Sequence, residues 1–271
     1  MLEIIHPDRV TAKIQYVLFD FDGTISLIRE GWQMVMKSYF FEELKKTPLG
    51  SAEDDDSIRR VIDEFVDINT GKQTIYQCFP LVEELKKRKG TPKEALYYKD
   101  EYLRRLMLQI QHRISGLEKG ELNPLDYTVP GAYGFLEMLK RHGVQMFLAS
   151  GTDEEYARHE ADILGVTKYF RGEVYGAQRD YKSFSKKMVV ERIIRENHLQ
   201  GAELMGVGDG FVEIENVREA GGFTIGLASD EKNRSGQPDA WKRNRLIRAG
   251  ADVIIPDFCA VDELEKYLFD K

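Results

Sequence analysis

The chain has 271 residues, of which 42% are hydrophobic and 31% are charged, a composition typical of a globular protein with a sizeable core. Its formal net charge of −7 argues against nucleic acid or an anionic membrane surface as the main partner. No apolar run is long enough to cross a bilayer, and the N-terminal stretch is charged where a signal peptide is apolar, so we expect a cytoplasmic protein without membrane contact.

The first predicted element is a strand, "YVLFD" at 16–20, and it ends in closely spaced acids. Strand geometry places Asp20 and Asp22 on the same face. Two carboxylates held together repel, and the pKa of one rises unless a cation lies between them. An ordinary strand-end turn, with Gly23 at the bend, is the structural alternative.

Residues 25–128 form the next block, and they show no convincing strand. Amphipathic patterns predict helices at 28–46, 54–69, 73–89 and 92–114. The acidic run at 51–57 lacks the spaced ligands and central glycine of a calcium loop, and it is better explained as the start of a helix, where it complements the dipole.

From Val129 onward, short apolar runs alternate with amphipathic stretches. The predicted strands are 144–150, 172–177, 203–209, 223–228 and 252–256, and the predicted helices are 131–143, 153–165, 185–198, 212–222 and 260–269. Such alternation predicts an α/β fold with a Rossmann-like parallel sheet and helices on both faces. We therefore expect an α/β catalytic core of residues 1–24 plus 129–271, with an all-helical cap domain of residues 25–128 inserted into it.

Cysteine and histidine give little indication of a metal or disulfide framework. Cys78 and Cys259 are far apart and are interpreted as reduced thiols, and the five histidines show no spacing typical of a zinc site.

Polar residues follow several of the predicted strands, at the edge where open parallel sheets bind ligands. Asp20 and Asp22 follow the first strand, Ser150 and Gly151 the second, and Asp209 and Glu213 a later one, while Lys186 and Lys187 lie near a helix start. Carboxylates suit Mg²⁺, which takes oxygen ligands and substrate phosphate. A carboxylate can attack phosphorus, while hydroxyl, backbone N–H and ammonium groups bind the phosphoryl oxygens.

The ordered set "DFDGT" (20–24), "LASGT" (148–152), Lys186 and "GDGFVE" (208–213) resembles the four motifs of the haloacid dehalogenase superfamily of phosphohydrolases. The helical insertion is similar to the cap of its phosphoglycolate-phosphatase-like and β-phosphoglucomutase-like members. The resemblance implies a HAD-like core, a Mg²⁺ cofactor, a small phosphorylated metabolite as substrate and an aspartyl-phosphate intermediate.

The resemblance also implies individual roles. Asp20 is the expected nucleophile and a metal ligand, and Asp22 the acid and then the base, with its backbone carbonyl on the metal. Asp209 is expected to bind the metal, with Glu213 assisting directly or through water. Ser150, Gly151 and Lys186 are the expected phosphate-binding residues.

Some assignments leave alternatives open. Lys182 and Lys187 also lie near the position of the phosphate-binding lysine. Lys72 and Gln73, beside Gly71, resemble the substrate-specificity loop of the cap, but an exposed helix–helix turn explains them equally well. We further expect the cap to open and close, because attack needs a water-poor site and release an open one.

A phosphatase is the favoured function, and a sugar-phosphate mutase that uses the same nucleophile is the alternative. A dehalogenase fits poorly because carbon–halogen cleavage needs neither an acid such as Asp22 nor a metal ligand such as Asp209. A non-catalytic binding protein would be expected to lack one of these groups, and none is missing. The sequence makes no prediction of the substrate's identity or of the oligomeric state.

Overall fold

The computed structural model describes residues 2–9 and 13–270, and these form two compact units. One unit comprises residues up to 30 together with those from 114 onward, and the other comprises residues 31–113. The sequence analysis placed these bounds at 24/25 and 128/129. Segments 25–30 and 114–128 group with the first unit because the backbone N–H of Leu27 donates to Tyr127 (2.8 Å) and that of Val129 to Ile25 (3.0 Å).

The unit of residues 31–113, called the helical unit here, has only helices as regular structure over that range. They are α1 (Trp32–Lys45), α2 (Asp55–Asn69), α3 (Ile75–Lys87) and α4 (Ala95–Glu118), whose last residues belong to the other unit. The acidic run begins α2, where Asp54 Oδ2 accepts from the backbone N–H of Ser57 (2.9 Å). Aromatic packing helps to form its core, with the rings of Phe40 and Phe65 5.8 Å apart.

The other unit, called the sheet unit, contains a seven-stranded sheet in the described part of the chain. Its strands are β1 (Glu3–Ile4), β2 (Tyr16–Phe19), β3 (Gln145–Asp153), β4 (Val174–Ala177), β5 (Leu204–Gly208), β6 (Phe223–Leu227) and β7 (Val253–Ile255). Their order is β1-β7-β6-β5-β2-β3-β4, and all neighbours are parallel except β1 and β7. The predicted α/β class is confirmed. The two-residue β1 was not predicted because it is too short to show a periodic pattern.

Helices lie on both faces of the sheet, as predicted. They are α5 (Ala132–Arg141), α6 (Glu154–Ile163), α7 (Thr167–Phe170), α8 (Lys186–Asn197), α9 (Phe211–Glu219), α10 (Ala240–Ala249) and α11 (Val261–Phe269). Leu18 of β2 packs with Val190 of α8 and Val217 of α9. The next residue, Phe19, points to the other face and contacts Phe135 of α5 edge-on, with ring centroids 6.1 Å apart. No helix among the described residues is both long enough and apolar enough to span a bilayer.

The sheet brings the ends of β2 and β5 together. In the sheet, β3 and β4 lie on one side of β2, and β5, β6 and β7 lie on its other side. The strand order therefore reverses between β2 and β5. Phe19 is in register with Val207, and the backbone N–H of Asp20 donates to the Val207 carbonyl (2.9 Å). Asp20 and Asp209 therefore leave the sheet at neighbouring strand ends, which is where open α/β sheets bind ligands.

Candidate active site

Asp20 is a buried carboxylate at the C-terminal end of β2, with only 5% of its surface exposed. Its Oδ1 accepts a hydrogen bond from the backbone N–H of Phe21 (2.8 Å) and lies 2.7 Å from the ammonium of Lys186. Lys186 is the first residue of α8, and its Nζ also lies 2.8 Å from Glu213 Oε2. One ammonium group is thus shared between two buried carboxylates.

Asp22 has one carboxylate oxygen fixed and one that is not. Its Oδ2 accepts from Ser150 Oγ (3.0 Å) and Thr152 Oγ1 (2.9 Å), both in β3. Its Oδ1 is buried and accepts no hydrogen bond from the described residues, and it lies 3.8 Å from Arg29 Nε. Arg29 is itself bound by both oxygens of Glu160. Asp22 therefore keeps one oxygen for a further partner.

The turn after β2 requires a glycine, as the sequence analysis proposed. Gly23 has a φ of +76°, in the left-handed region, and a Cβ at this position would overlap Asp209 Oδ2. The next residue, Thr24, accepts from the backbone N–H of Asp209 through its Oγ1 (2.9 Å). These contacts fasten the turn of the first motif to the end of β5.

Three acids form a cluster that could hold a metal ion. One oxygen from each of Asp20, Asp209 and Glu213 lies within 4.8 Å of the other two. Glu213 is fully buried, and its Oε1 accepts from the backbone N–H of Gly210 (3.0 Å) at the start of α9. Several carboxylate oxygens at one place are the donor set that a hard divalent cation prefers.

The electrostatics of the cluster also fit a cation. Burial raises the pKa of Asp20 well above its usual range, Lys186 opposes this, and the Glu213 and Asp209 carboxylates add to it. Burial lowers the pKa of Lys186, but Asp20 and Glu213 outweigh that effect and raise it, so the ammonium stays charged. A further positive charge beside Asp20 would favour its ionised form.

The structure brings six of the predicted residues to one edge of the sheet, namely Asp20, Asp22, Ser150, Lys186, Asp209 and Glu213. Gly151 lies in β3 directly after Ser150. The other candidate lysines are placed differently: Lys182 lies in a short helical turn at 181–183, and Lys187 is exposed and pairs with Glu219 (3.1 Å).

Two predicted residues belong to the helical unit. Lys72 Nζ donates to Asn69 Oδ1 (3.1 Å), and Gln73 is buried. Their proposed contact with the substrate stays a prediction.

Sequence reasoning missed a second ammonium group at the site. Lys242 Nζ lies 2.7 Å from Asp209 Oδ2, 2.6 Å from Glu231 Oε1 and 3.0 Å from Ser229 Oγ. It lies in α10, a helix that was not predicted. The signals were present: Asp239 caps the helix by accepting from the backbone N–H of Lys242 (2.8 Å), and Gly250 ends it with a φ of +93°.

Comparison with known proteins assigns the chain to a family. A family model for haloacid dehalogenase-like hydrolases matches residues 14–221, which is most of the chain. The chain therefore belongs to the haloacid dehalogenase-like hydrolases, and it is an enzyme of that class. The resemblance drawn from the four motifs is confirmed at this level. A search of curated proteins found no match.

Solved structures of the same fold include phosphatases and a mutase, all at low identity. A predicted phosphoglycolate phosphatase from Haemophilus somnus has a TM-score of 0.59 and 14% identity, over 93% of this chain and 98% of its own. β-Phosphoglucomutase from Clostridium difficile has a TM-score of 0.61 and 13% identity, over 95% and 98%. A predicted phosphatase from Clostridium acetobutylicum has a TM-score of 0.60 and 18% identity, over 96% and 100%. At this identity the likeness shows the fold.

Proposed function

We propose that the protein is a Mg²⁺-dependent phosphatase that hydrolyses a small phosphorylated metabolite, a phosphomonoester, through an aspartyl-phosphate on Asp20. One observation carries the proposal: Asp20 is buried between the Lys186 ammonium and the acidic cluster it forms with Asp209 and Glu213. An anionic nucleophile can approach an anionic phosphoryl group only if positive charge is supplied at the same place.

Both contacts of Asp20 use Oδ1, so we assign Oδ2 to the attack on phosphorus. Ser150 Oγ, the backbone N–H of Gly151 and Lys186 Nζ bind the phosphoryl oxygens and hold the phosphorus in line. In the site described here Ser150 donates to Asp22 (3.0 Å), so phosphate binding includes a rotation of this hydroxyl.

Asp22 is the proposed acid and base. Ser150 and Thr152 fix its Oδ2, while its Oδ1 has no hydrogen-bond donor among the described residues, so Oδ1 can give a proton to the leaving oxygen. The same oxygen then takes a proton from the water that attacks the aspartyl-phosphate, which regenerates Asp20 and releases phosphate.

Mg²⁺ would be held by the carboxylates of Asp20 and Asp209 and by the backbone carbonyl of Asp22. Glu213 would contribute either directly or through water. The ion supplies charge neutralisation for the phosphoryl oxygens.

A sugar-phosphate mutase would use the same groups and is the alternative; it would transfer the phosphoryl group to a second sugar phosphate instead of water.

The helical unit is proposed to act as a cap that selects the substrate, with Lys72 and Gln73 as candidate contacts. Its insertion between the first and second motifs supports this role. Lys72→Ala and Gln73→Ala should raise KM for the best metabolite more than KM for a generic aryl phosphate. Equal KM values in all three proteins would remove these residues from the substrate site.

The cytoplasm is the proposed compartment, because Cys78 and Cys259 are both free thiols. Fractionation of native host cells tests this, and recovery of the protein outside the cytoplasmic fraction would contradict it.

The central experiment measures phosphate release from an aryl phosphate with and without Mg²⁺. Asp20→Asn should lower turnover by more than about 10³-fold, because it removes the nucleophile. Asp262→Asn, which changes an exposed acid in α11, is the matched control and should keep wild-type turnover. Turnover by Asp20→Asn at the wild-type rate would refute the proposal. A panel of phosphorylated metabolites then identifies the substrate class, and isomerised sugar phosphate without free phosphate would indicate the mutase.

A further inference from the structure

A second ammonium group, that of Lys242, lies in the site, and it comes from a residue outside the four motifs. The three hydrogens of its Nζ have three acceptors: Asp209 Oδ2 at 2.7 Å, Glu231 Oε1 at 2.6 Å and Ser229 Oγ at 3.0 Å. Glu231 and Lys242 also lie outside the residues 14–221 that match the family model. The group therefore lies outside both the four motifs and the matched residues.

Lys242, Asp209 and Glu231, called the Lys242 cluster here, are largely buried and do not form a solvated surface pair. Lys242 and Asp209 have side chains only 13% and 14% exposed, and Glu231 is 21% exposed. Charges removed from water to this extent cost free energy unless they are paired, so the three side chains hold one another in place.

Contacts with the backbone of the first motif also fix the position of the Lys242 cluster. Ser229 Oγ donates to the Gly23 carbonyl (2.9 Å), and a Cβ on Gly23 would lie only 3.1 Å from Glu231 Oε1. At the other end, the Asp239 cap accepts from the backbone N–H of Lys242 (2.8 Å) and fixes the first turn of α10. The Lys242 ammonium group therefore reaches Asp209 from the first turn of α10, and hydrogen bonds fix the position of that turn.

We propose that Lys242, held by Glu231 and Ser229, is a positioning residue that orients the Asp209 carboxylate for the divalent cation. The inference rests on the proposed function. A carboxylate can bind a metal through one oxygen while the other accepts a hydrogen bond, and such outer partners set the orientation of the ligand. Lys242 Nζ donates to Oδ2 at 2.7 Å, whereas Thr24 Oγ1 donates a longer hydrogen bond to Oδ1 (3.3 Å), so we assign Oδ1 to the cation.

The charges of the cluster agree with this role. Lys242 and Glu231 carry opposite charges and form a pair 2.6 Å apart. The pair as a whole is neutral, so it orients Asp209 without cancelling the negative charge that attracts the cation.

The test is calorimetric titration of Mg²⁺ into the metal-stripped, full-length protein. Lys242→Met should raise the Kd for Mg²⁺ by about 10- to 100-fold, the usual effect of losing an outer partner of a metal ligand. Glu231→Gln keeps the ammonium but weakens its anchor, and should raise the Kd by at least about threefold. Arg243→Met is the matched control, because Arg243 is the next cation along α10 and pairs with Glu3 instead; its Kd should equal that of the wild type.

Two results would overturn the inference. A Kd for Mg²⁺ in Lys242→Met within twofold of the wild type would show that Lys242 does not orient the Asp209 carboxylate. A Kd lower than that of the wild type would show that Lys242 competes with the cation for Asp209. If Lys242→Met does not fold, Ser229→Ala decides in the same way, because it removes an anchor of the ammonium group and changes no charge. Asp209→Asn separates this test from that of the proposed function: wild-type affinity in that variant, or no Mg²⁺ binding by the wild type, would refute the metal site itself.

Discussion

At the scale of single residues, the candidate site is organised by how two buried ammonium groups are shared among carboxylates. Lys186 lies between Asp20 and Glu213, and Lys242 between Asp209 and Glu231. Breaking a buried pair by removing one partner is costly, because it leaves the other charge uncompensated in a poorly solvated place. Each lysine therefore affects the carboxylates that it contacts as well as any ligand.

The two adjacent lysines at the start of α8 allow a matched comparison. Lys186→Met should lower phosphatase turnover by about 10²- to 10³-fold, since it removes an ammonium aimed at the nucleophile and at the phosphoryl oxygens. Lys187→Met removes an exposed lysine that pairs with Glu219 and should stay within about twofold of wild type. Steady-state release of phosphate from an aryl phosphate measures both.

The opposite result would change the assignment. If Lys187→Met loses activity and Lys186→Met keeps it, then Lys186 is a structural counter-ion of Asp20 and Glu213, and Lys187 binds the phosphate. Thermal unfolding of both variants shows whether a loss of activity follows from a loss of folded protein.

At the scale of secondary-structure elements, the starts of helices position the chemistry. Ser185 caps α8 by accepting from the backbone N–H of Met188 (3.1 Å), and the following residue is Lys186. Asp239 caps α10 in the same way, three residues before Lys242. A capped first turn has a fixed backbone, and a side chain attached to it reaches a defined place.

Loss of the cap on α8 should therefore affect both stability and activity. Ser185→Ala should lower the free energy of unfolding by about 1 kcal/mol and turnover by a few-fold, because Lys186 loses its fixed backbone. Asp54→Ala removes the equivalent cap of α2, in the helical unit, and should cost about as much stability without lowering turnover of an aryl phosphate. Urea unfolding and phosphate release test the pair. Equal turnover in both variants would show that the cap of α8 does not position Lys186.

At the scale of the whole molecule, the chain combines two units with separate cores and one tryptophan each. Trp32 begins α1 in the helical unit, and Trp241 lies in α10 of the sheet unit. Asp20, Asp209 and Glu213 all belong to the sheet unit. A ligand that binds them stabilises the folded form of that unit.

Fluorescence of single-tryptophan variants can report the two units separately. In Trp32→Phe, the fluorescence of the remaining Trp241 should report a free energy of unfolding that is higher with Mg²⁺, by about 2.7 kcal/mol at a concentration 100 times Kd. In Trp241→Phe, Trp32 should show a smaller shift, since the helical unit contains none of the three acids. No shift in either variant would contradict the magnesium site, and equal shifts would show that both units unfold in one step.

Much of the fold followed from local patterns, and the exceptions have local reasons. The buried strands from Tyr16 onward are short apolar runs bounded by turn residues, and their parallel arrangement follows from the alternation with helices. β1 was missed because two residues carry no period, and α10 because its sequence, "AWKRNRLIRA", is strongly polar and buries only Leu246 and Ala249. Missing α10 also meant missing Lys242.

The sequence alone determined the class of sheet, the family and the acids at the strand ends, because these depend on residue type and spacing along the chain. Only the tertiary structure decided which lysine contacts Asp20, that both oxygens of Glu213 are already engaged, and that Lys242 reaches Asp209. Lys186 is 166 positions from Asp20 and 27 from Glu213, and Lys242 is 33 positions from Asp209. Strand order and the starts of helices bring these residues together. No local pattern encodes such distances, since they are fixed only when the strands pair and the helices pack on the sheet.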